Sequence, residues 1–168
     1  MGQRDGEEGN QQARLEGDRH WLGGIVDGEG CVDIGLSPGY RGRLYMHPEI
    51  HIANTDPSMV DEIVRIYQQE HIAHHVKWRS KPGQKDFAQI RISGLKRVSR
   101  FLDVFQPYIR SKQAQAQAVR DFINGRLAKR PKQPYDQREA DAWWSLRVAR
   151  GSQVASETKR RALQKQLG

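Results

Sequence analysis

The sequence predicts an α+β fold in which a helix and a β-hairpin follow one another twice, in the order α-β-β-α-β-β-α, with further helices on the C-terminal side. Three observations carry this expectation. Residues 31–37 and 44–54 alternate apolar with polar, and so do 74–80 and 86–93, each pair joined by a turn-forming stretch, "PGYRGR" or "KPGQK". Each pair is preceded by a segment with apolar residues at helical spacing. A third and a fourth such segment close the pattern.

The elements follow in chain order. Residues 1–17 are polar and glycine-containing and read as a loose tail. The core domain spans 18–125, and 126–168 form a basic linker with a helical extension. Asp18 is a fitting N-cap for the first helix, whose face carries Trp21, Leu22, Ile25 and Val26 and whose end is "DGEG". In the first hairpin Val32, Ile34 and Leu36, then Met46, Ile50 and Ile52, face inward. Pro48 cannot donate a ladder hydrogen bond, which suggests an edge strand or a bulge. Thr55 or Asp56 caps the second helix, Pro57 opens it, and Met59, Val60, Ile63, Ile66 and Tyr67 form its stripe. In the second hairpin Val76, Trp78, Ala88, Ile90 and Ile92 face inward. A third helix covers about 94–105, and a fourth starts after Pro107. Two more helices follow the proline-broken linker "GRLAKRPKQP". The four tryptophans, Trp21, Trp78, Trp143 and Trp144, read as core residues.

Composition narrows the classes of function. The 168 residues carry a formal net charge of +8. The first 18 set Arg4 and Arg14 against five acids, so the positive excess lies in the rest of the chain. Such a body suits a polyanion, most often nucleic acid, although a merely soluble basic surface has the same balance. Cys31 stands alone, which excludes a disulfide framework. No apolar run nears the roughly 20 residues a membrane span needs. The first residues lack the apolar stretch of a signal peptide and are too acidic for a transit peptide. The histidines show no zinc spacing.

The outward face of the four strands presents Asp33 and Ser37, then Tyr45, His47, Glu49 and His51, then Lys77 and Arg79, then Gln89 and Arg91. These are long hydrogen-bonding side chains. A two-stranded ribbon can enter the major groove, where Arg, Lys, Gln and His read base edges. An antiparallel sheet with one wetted face would look the same.

Residues 22–30, "LGGIVDGEG", resemble the LAGLIDADG motif, with glycine for its alanine and glutamate for its final aspartate. The likeness extends to "IANTDPSMVDEI", to "FQPYIRSKQAQA" at 105–116 and to "ASETKRRAL". Together these resemble the single-motif, homodimeric LAGLIDADG homing endonucleases. The resemblance implies a curved four-stranded antiparallel sheet that saddles double-stranded DNA. It also implies a metal-dependent double-strand break in a long pseudo-palindromic site, leaving 3′ overhangs. The implied cofactor is Mg²⁺, with Mn²⁺ or Ca²⁺ able to substitute for binding. Carried over by position, Glu29 and the Gly28 carbonyl hold metal, and Glu29, Lys112 and Asn54 are catalytic. DNA is met by the outward sheet residues above and by Arg150. Ser58 stands where some dimeric relatives have an arginine, and Arg110 is the nearest replacement.

Elementary chemistry points the same way. Metal-assisted phosphodiester cleavage needs hard carboxylate oxygens and a positive group near the developing charge. A glutamate at a helix C-terminus opposes the helix dipole, a mismatch that a cation repairs. One motif supplies one acid, so cutting two strands calls for a two-fold homodimer. Gly23 and Gly24 would let two helices approach closely, with Trp21 and Asp27 also at that interface and Asp27 in a structural role. Lys129, Arg130, Lys132 and Arg147 are further phosphate contacts on this reading. The alternatives are an RNA-binding intron maturase and a non-cleaving DNA-binding regulator of the same fold. A pure binder needs neither Glu29 nor Lys112. Compartment and host stay open among organelle, microbe and phage.

Overall fold

The computed structural model describes the backbone of residues 3–80 and 82–168, and the side chains from Gly9 onward within those ranges. The elements are α1 (Gln3–Glu29), β1 (Gly30–Pro38), β2 (Leu44–Asn54), α2 (Pro57–Gln69), β3 (His75–Arg79), β4 (Phe87–Ser93), α3 (Leu95–Phe105), α4 (Gln113–Leu127), α5 (Gln137–Ala149) and α6 (Gln153–Leu167). The strands form one antiparallel sheet in the order β1-β2-β4-β3. The predicted α-β-β-α-β-β-α order and the two C-terminal helices are all present.

The alternation in the strands does what period-two patterning must. Val32, Ile34, Met46, Ile50, Ile52, Ala88, Ile90 and Ile92 are buried against Leu22 and Val26 of α1, the α2 stripe and Phe101, Leu102 and Phe105 of α3. Asp56 caps α2 by accepting from the Ser58 N–H at 2.9 Å, and Pro57 fills the first position, where its missing N–H costs nothing. Trp143 is buried, but Trp78 is 46% exposed, because it lies on the short outer strand beyond the reach of the helices. Trp21 is exposed as well.

Three features differ from expectation. First, α1 begins at Gln3, so residues 3–17 are helical rather than loose, and Asp18 is mid-helix instead of a cap. Their Glu, Gln, Arg, Ala and Leu content favours helix, and tertiary ties hold the segment nearest the core. Asp18 pairs with Arg65 at 2.9 Å, Arg19 with Glu70 at 2.6 Å, and the Tyr108 hydroxyl donates to Glu16.

Second, β2 is an interior strand despite Pro48. It outruns β4, whose pairing stops at Glu49↔Ser93, so Pro48 lies where its neighbour has already ended. Other groups finish that open edge. The Gly94 N–H donates to the Pro48 carbonyl, and the Tyr135 hydroxyl accepts from the Met46 N–H and donates to its carbonyl. The Gln166 amide does the same for Leu44. The C-terminal helices thereby complete the first hairpin.

Third, α4 starts at Gln113, later than Pro107 suggested, after a 3₁₀ turn at Gln106–Tyr108. The carboxylate of Asp27 accepts from the N–H groups of Arg110, Ser111 and Lys112, at 2.7, 3.1 and 3.2 Å. One helix's last turn thus holds the turn that leads into another.

Candidate nucleic-acid interface

At the end of α1 the chain turns directly into β1, and Glu29 projects there, exposed. Asn54, buried at the end of β2, donates through Nδ2 to Glu29 Oε2 at 2.6 Å. Its Oδ1 accepts from the Asp56 N–H at 2.8 Å, which fixes which way the amide points. Asn54 therefore orients the Glu29 carboxylate and leaves Oε1 available. The last carbonyls of α1 have no partners further along the helix, and the Lys112 ammonium takes two carbonyls in this region, donating to Val26 O at 2.8 Å and Gly30 O at 2.6 Å. Lys112 thus closes the helix C-terminus with positive charge beside Glu29. Burial pushes its ammonium below the ordinary value, against the opposing pull of Asp27.

Asp27 is held wholly within the chain. Burial acts to raise its carboxyl, but the N–H of Arg110, the hydroxyl and N–H of Ser111 and the N–H of Lys112 outweigh this and hold it low. Its carboxylate faces residues 110–112 within the chain, away from the interface with a second copy expected of it. Gly23 is likewise committed internally. A Cβ there would stand 2.5 Å from the backbone oxygen of Tyr108, so its smallness serves a contact within the chain, not one with a second copy. Gly24 is open, with nothing within 4 Å of the same test position, and Gly28 is open too.

The outward sheet face carries the expected residues in one connected array. Cross-strand pairs set Asp33 opposite Glu49, Gly35 opposite His47, Ser37 opposite Tyr45, His51 opposite Arg91, and Gln89 opposite Lys77. At its centre the buried Glu49 carboxylate meets His51 Nε2 at 3.0 Å, His47 Nε2 at 3.2 Å and Arg91 Nη2 at 2.5 Å. Gly35 makes room for this group, because a Cβ there would collide with the His47 ring. Gln89 links His51 to Arg79, and Tyr45 stacks on His47. Arg91 stays 42% exposed, so its guanidinium is oriented yet within reach of a ligand.

Burial alone would push the Glu49 carboxyl up, but the hydrogen bond from His51 and the charges of His51, Arg91 and His47 hold it down to about 2. A depressed carboxylate stabilises the fold above its unfolded value and loses that contribution as pH falls through the folded one. Glu49→Gln is therefore expected to cost on the order of 2–3 kcal/mol at pH 6, as the size of the shift implies. The cost should shrink between pH 4.5 and about 2 as the wild-type carboxylate protonates. Denaturant unfolding of both proteins at pH 6 and pH 3 checks this; an equal difference at the two values would contradict it.

Asp33 and Arg150 line the same open face as His47, Glu49, His51 and Arg91, and are paired with each other there. Asp33 is buried and accepts from Arg147 at 2.8 Å and Arg150 at 2.9 Å. The same arginines donate to the Ile34 and Val32 carbonyls on the free edge of β1, at 2.7 and 2.6 Å. They join α5 to the sheet. Lys129 is similarly engaged, with Asp136 and the buried Glu139. Sequence reading missed the pairing of Asp33 with Arg147 because its members lie 114 positions apart in the chain. It also passed over the β3–β4 loop, where Gln84 and Lys85, with Thr55 and Phe87, line an open cleft of about 440 Å³ beside Glu29 and Asn54.

Among the described residues, no group of three or more His, Cys, Asp or Glu is placed to hold a metal ion. The donors present nonetheless suit a hard divalent cation in part. Glu29 Oε1 and the Gly28 carbonyl are oxygens at one exposed helix end, and Mg²⁺ commonly takes only one or two protein oxygens, completing its shell with phosphate and water. No described helix is long and apolar enough to cross a membrane.

No family model matches the sequence, and no curated protein matches it. Solved structures do. The chain is similar to the homing endonuclease I-CvuI bound to the I-CreI target in the presence of Mg, at 16% identity and a TM-score of 0.61, over 91% of this chain and 96% of that one. It is similar to the archaeal intron-encoded homing endonuclease I-Vdi141I complexed with DNA, at 14% identity and a TM-score of 0.59, over 79% and 84%. It is also similar to the LAGLIDADG homing endonuclease I-GzeII in complex with its DNA target, at 17% identity and a TM-score of 0.59, over 83% of this chain and 48% of that one. The chain has the fold of the LAGLIDADG homing endonucleases.

Proposed function

We propose that this protein is a site-specific endonuclease that makes a metal-dependent double-strand break in a long, pseudo-palindromic DNA site and leaves 3′ overhangs. The observation that carries this reading is the Glu29–Asn54 pair. An exposed carboxylate is held by a buried amide at the helix end that leads directly into β1, the first strand of a polar, hydrogen-bonding sheet face. A protein that only bound DNA would have no need to aim an acid at a polyanion.

Glu29 and the Gly28 carbonyl would hold Mg²⁺, which when bound supplies Lewis-acid polarisation of the phosphate and a more acidic water. Asn54 keeps the carboxylate in one orientation. Lys112 fixes the helix-to-strand turn that presents Glu29 and offsets its negative charge. Arg91, Gln89, His47, His51, Tyr45, Ser37, Lys77 and Arg79 face the groove, with Arg91 posed by Glu49. Asp33 and Arg150 border that surface at its β1 margin.

Two copies are needed to cut two strands. Ala13, Gly17, Trp21, Gly24 and Gly28 are exposed at helical spacing along one face of α1. Small residues with one exposed tryptophan suit close packing against a second α1, which would bring two Glu29 carboxylates together near the symmetry axis. That this fold spans about half of I-GzeII, 48% of its length, supports reading it as one half of a working unit.

Cleavage of a randomised library of double-stranded sites in the presence of Mg²⁺ tests the reading. The expected result is a family of cut sites with approximate two-fold symmetry and 3′ overhangs. Binding without cutting under Mg²⁺ and Mn²⁺ would identify a regulator, and tight intron-RNA binding without DNA cutting would identify a maturase.

A further inference from the structure

The cleft beside Glu29 is walled by three separate pieces of chain: the end of α1, the end of β2 with Asn54 and Thr55, and the β3–β4 loop with Gln84 and Lys85. Its charges are simple. Among the described residues that line it, Glu29 is the one acid and Lys85 the one base. Lys112 and Arg110, the cations anticipated from sequence, are not among its lining residues. Lys112 spends its ammonium on the Val26 and Gly30 carbonyls. The first turn of α2 presents Ser58, whose hydroxyl donates to Asp56. Lys85, by contrast, is exposed and makes no ion pair among the described residues. Its loop springs from the same hairpin that carries Lys77, Arg79, Gln89 and Arg91 on the outward face. A duplex lying on that face would run its backbone past the cleft.

On the endonuclease reading above, we infer that Lys85 is a catalytic residue. Its ammonium meets the phosphate seated against Glu29 and stabilises the negative charge that gathers on the non-bridging oxygens. In that step the oxygen of water forms a bond to phosphorus as the bond to the 3′ oxygen breaks. The 3′ oxygen leaves with the electron pair and takes a proton from solvent, and the attacking water gives up one of its protons to solvent. Lys85 contributes charge and transfers no proton. A cation from a hairpin loop thus takes the part for which the first turn of α2 offers only Ser58.

The experiment compares the unsubstituted protein, Lys85→Met, Lys85→Arg and Glu29→Gln on a duplex recovered from the cleavage library. Single-turnover rates are measured with saturating protein and Mg²⁺, and binding is measured in EDTA across a salt series. Lys85→Met is expected to cut about 100-fold more slowly with unchanged thermal melting, and Lys85→Arg to recover most of the rate. Without metal, the dependence of log affinity on log salt should lose about one unit of slope in Lys85→Met, as one phosphate contact is removed. An undiminished rate in Lys85→Met, a deficit that disappears at saturation, or an unchanged salt slope would each overturn the inference. Cutting by the unsubstituted protein and none by Glu29→Gln would leave the endonuclease reading standing in those cases. No cutting by the unsubstituted protein would overturn both.

Discussion

Glu29→Gln is expected to bind DNA as tightly as the wild type, or more tightly, and to cut it about a thousandfold more slowly or not at all. Glutamine matches the shape of glutamate and still offers an oxygen to Asn54 Nδ2, so the 2.6 Å contact that orients the side chain persists. The loss is confined to charge. A neutral amide is a poor ligand for a hard divalent cation, and without that cation neither the phosphate nor the attacking water is activated. Binding does not suffer, because the substitution removes a negative charge that faces phosphate. Filter binding and single-turnover cleavage on one duplex check both halves. Equal cutting by the two proteins would remove Glu29 from the chemistry, and a parallel loss of binding would mean that it organises the interface instead.

The second large effect is on stability. Gly23→Ala should destabilise the protein by roughly 1–3 kcal/mol, as overpacking of a close-packed contact does, and lower Tm by about 3–10 °C for a domain of this size. The new methyl would meet the Tyr108 backbone oxygen at 2.5 Å, and backbone cannot rotate away as a side chain can. Gly24→Ala, one residue along, meets nothing within 4 Å and should raise the stability of an isolated chain by about 0.5–1 kcal/mol through helix propensity. If two copies pack through this face of α1, the same methyl weakens their association. Thermal melts paired with sedimentation separate the outcomes. Equal melting shifts in the two variants would contradict the different surroundings of the two glycines.

These neighbouring glycines show how far the sequence could be read. Both were visible as small residues on an apolar helix, and closeness to something was a fair inference. Which one touches what depends on where Tyr108 arrives from, 85 positions along, and no periodicity encodes that. Local rules did well where the deciding physics is local. The Asp56 cap, Pro57 at the first turn of α2 and the alternation of buried isoleucines each follow from neighbouring residues alone. Pro48 is an intermediate case, because its missing N–H correctly signals an open edge, while the sheet order that makes the edge only partial is global. Asp33 and Arg150 were legible as polar residues facing out, but not as partners. The upstream part of α1 was hidden because its pattern is weakly amphipathic and its anchors, Arg65, Glu70 and Tyr108, come from other elements. In the candidate site, the positions of Glu29, Asn54 and Lys112 could be carried over from a motif. Lys85 could not, since a lysine in a glycine-containing loop has nothing local to distinguish it.

The two arginines along β1 carry a consequence for how this protein can associate. An outer strand with bare carbonyls is an invitation to another chain's strand, and a sheet that accepts one accepts many, ending in fibres instead of a defined complex. Arg147 and Arg150 occupy the Val32 and Ile34 carbonyls, and the opposite margin, β3, is short and bears Lys77 and Arg79. Growth by strand addition is discouraged at both ends. Neutralising Arg147 and Arg150 would therefore do more than loosen α5: it would leave the β1 carbonyls open to a strand from another chain.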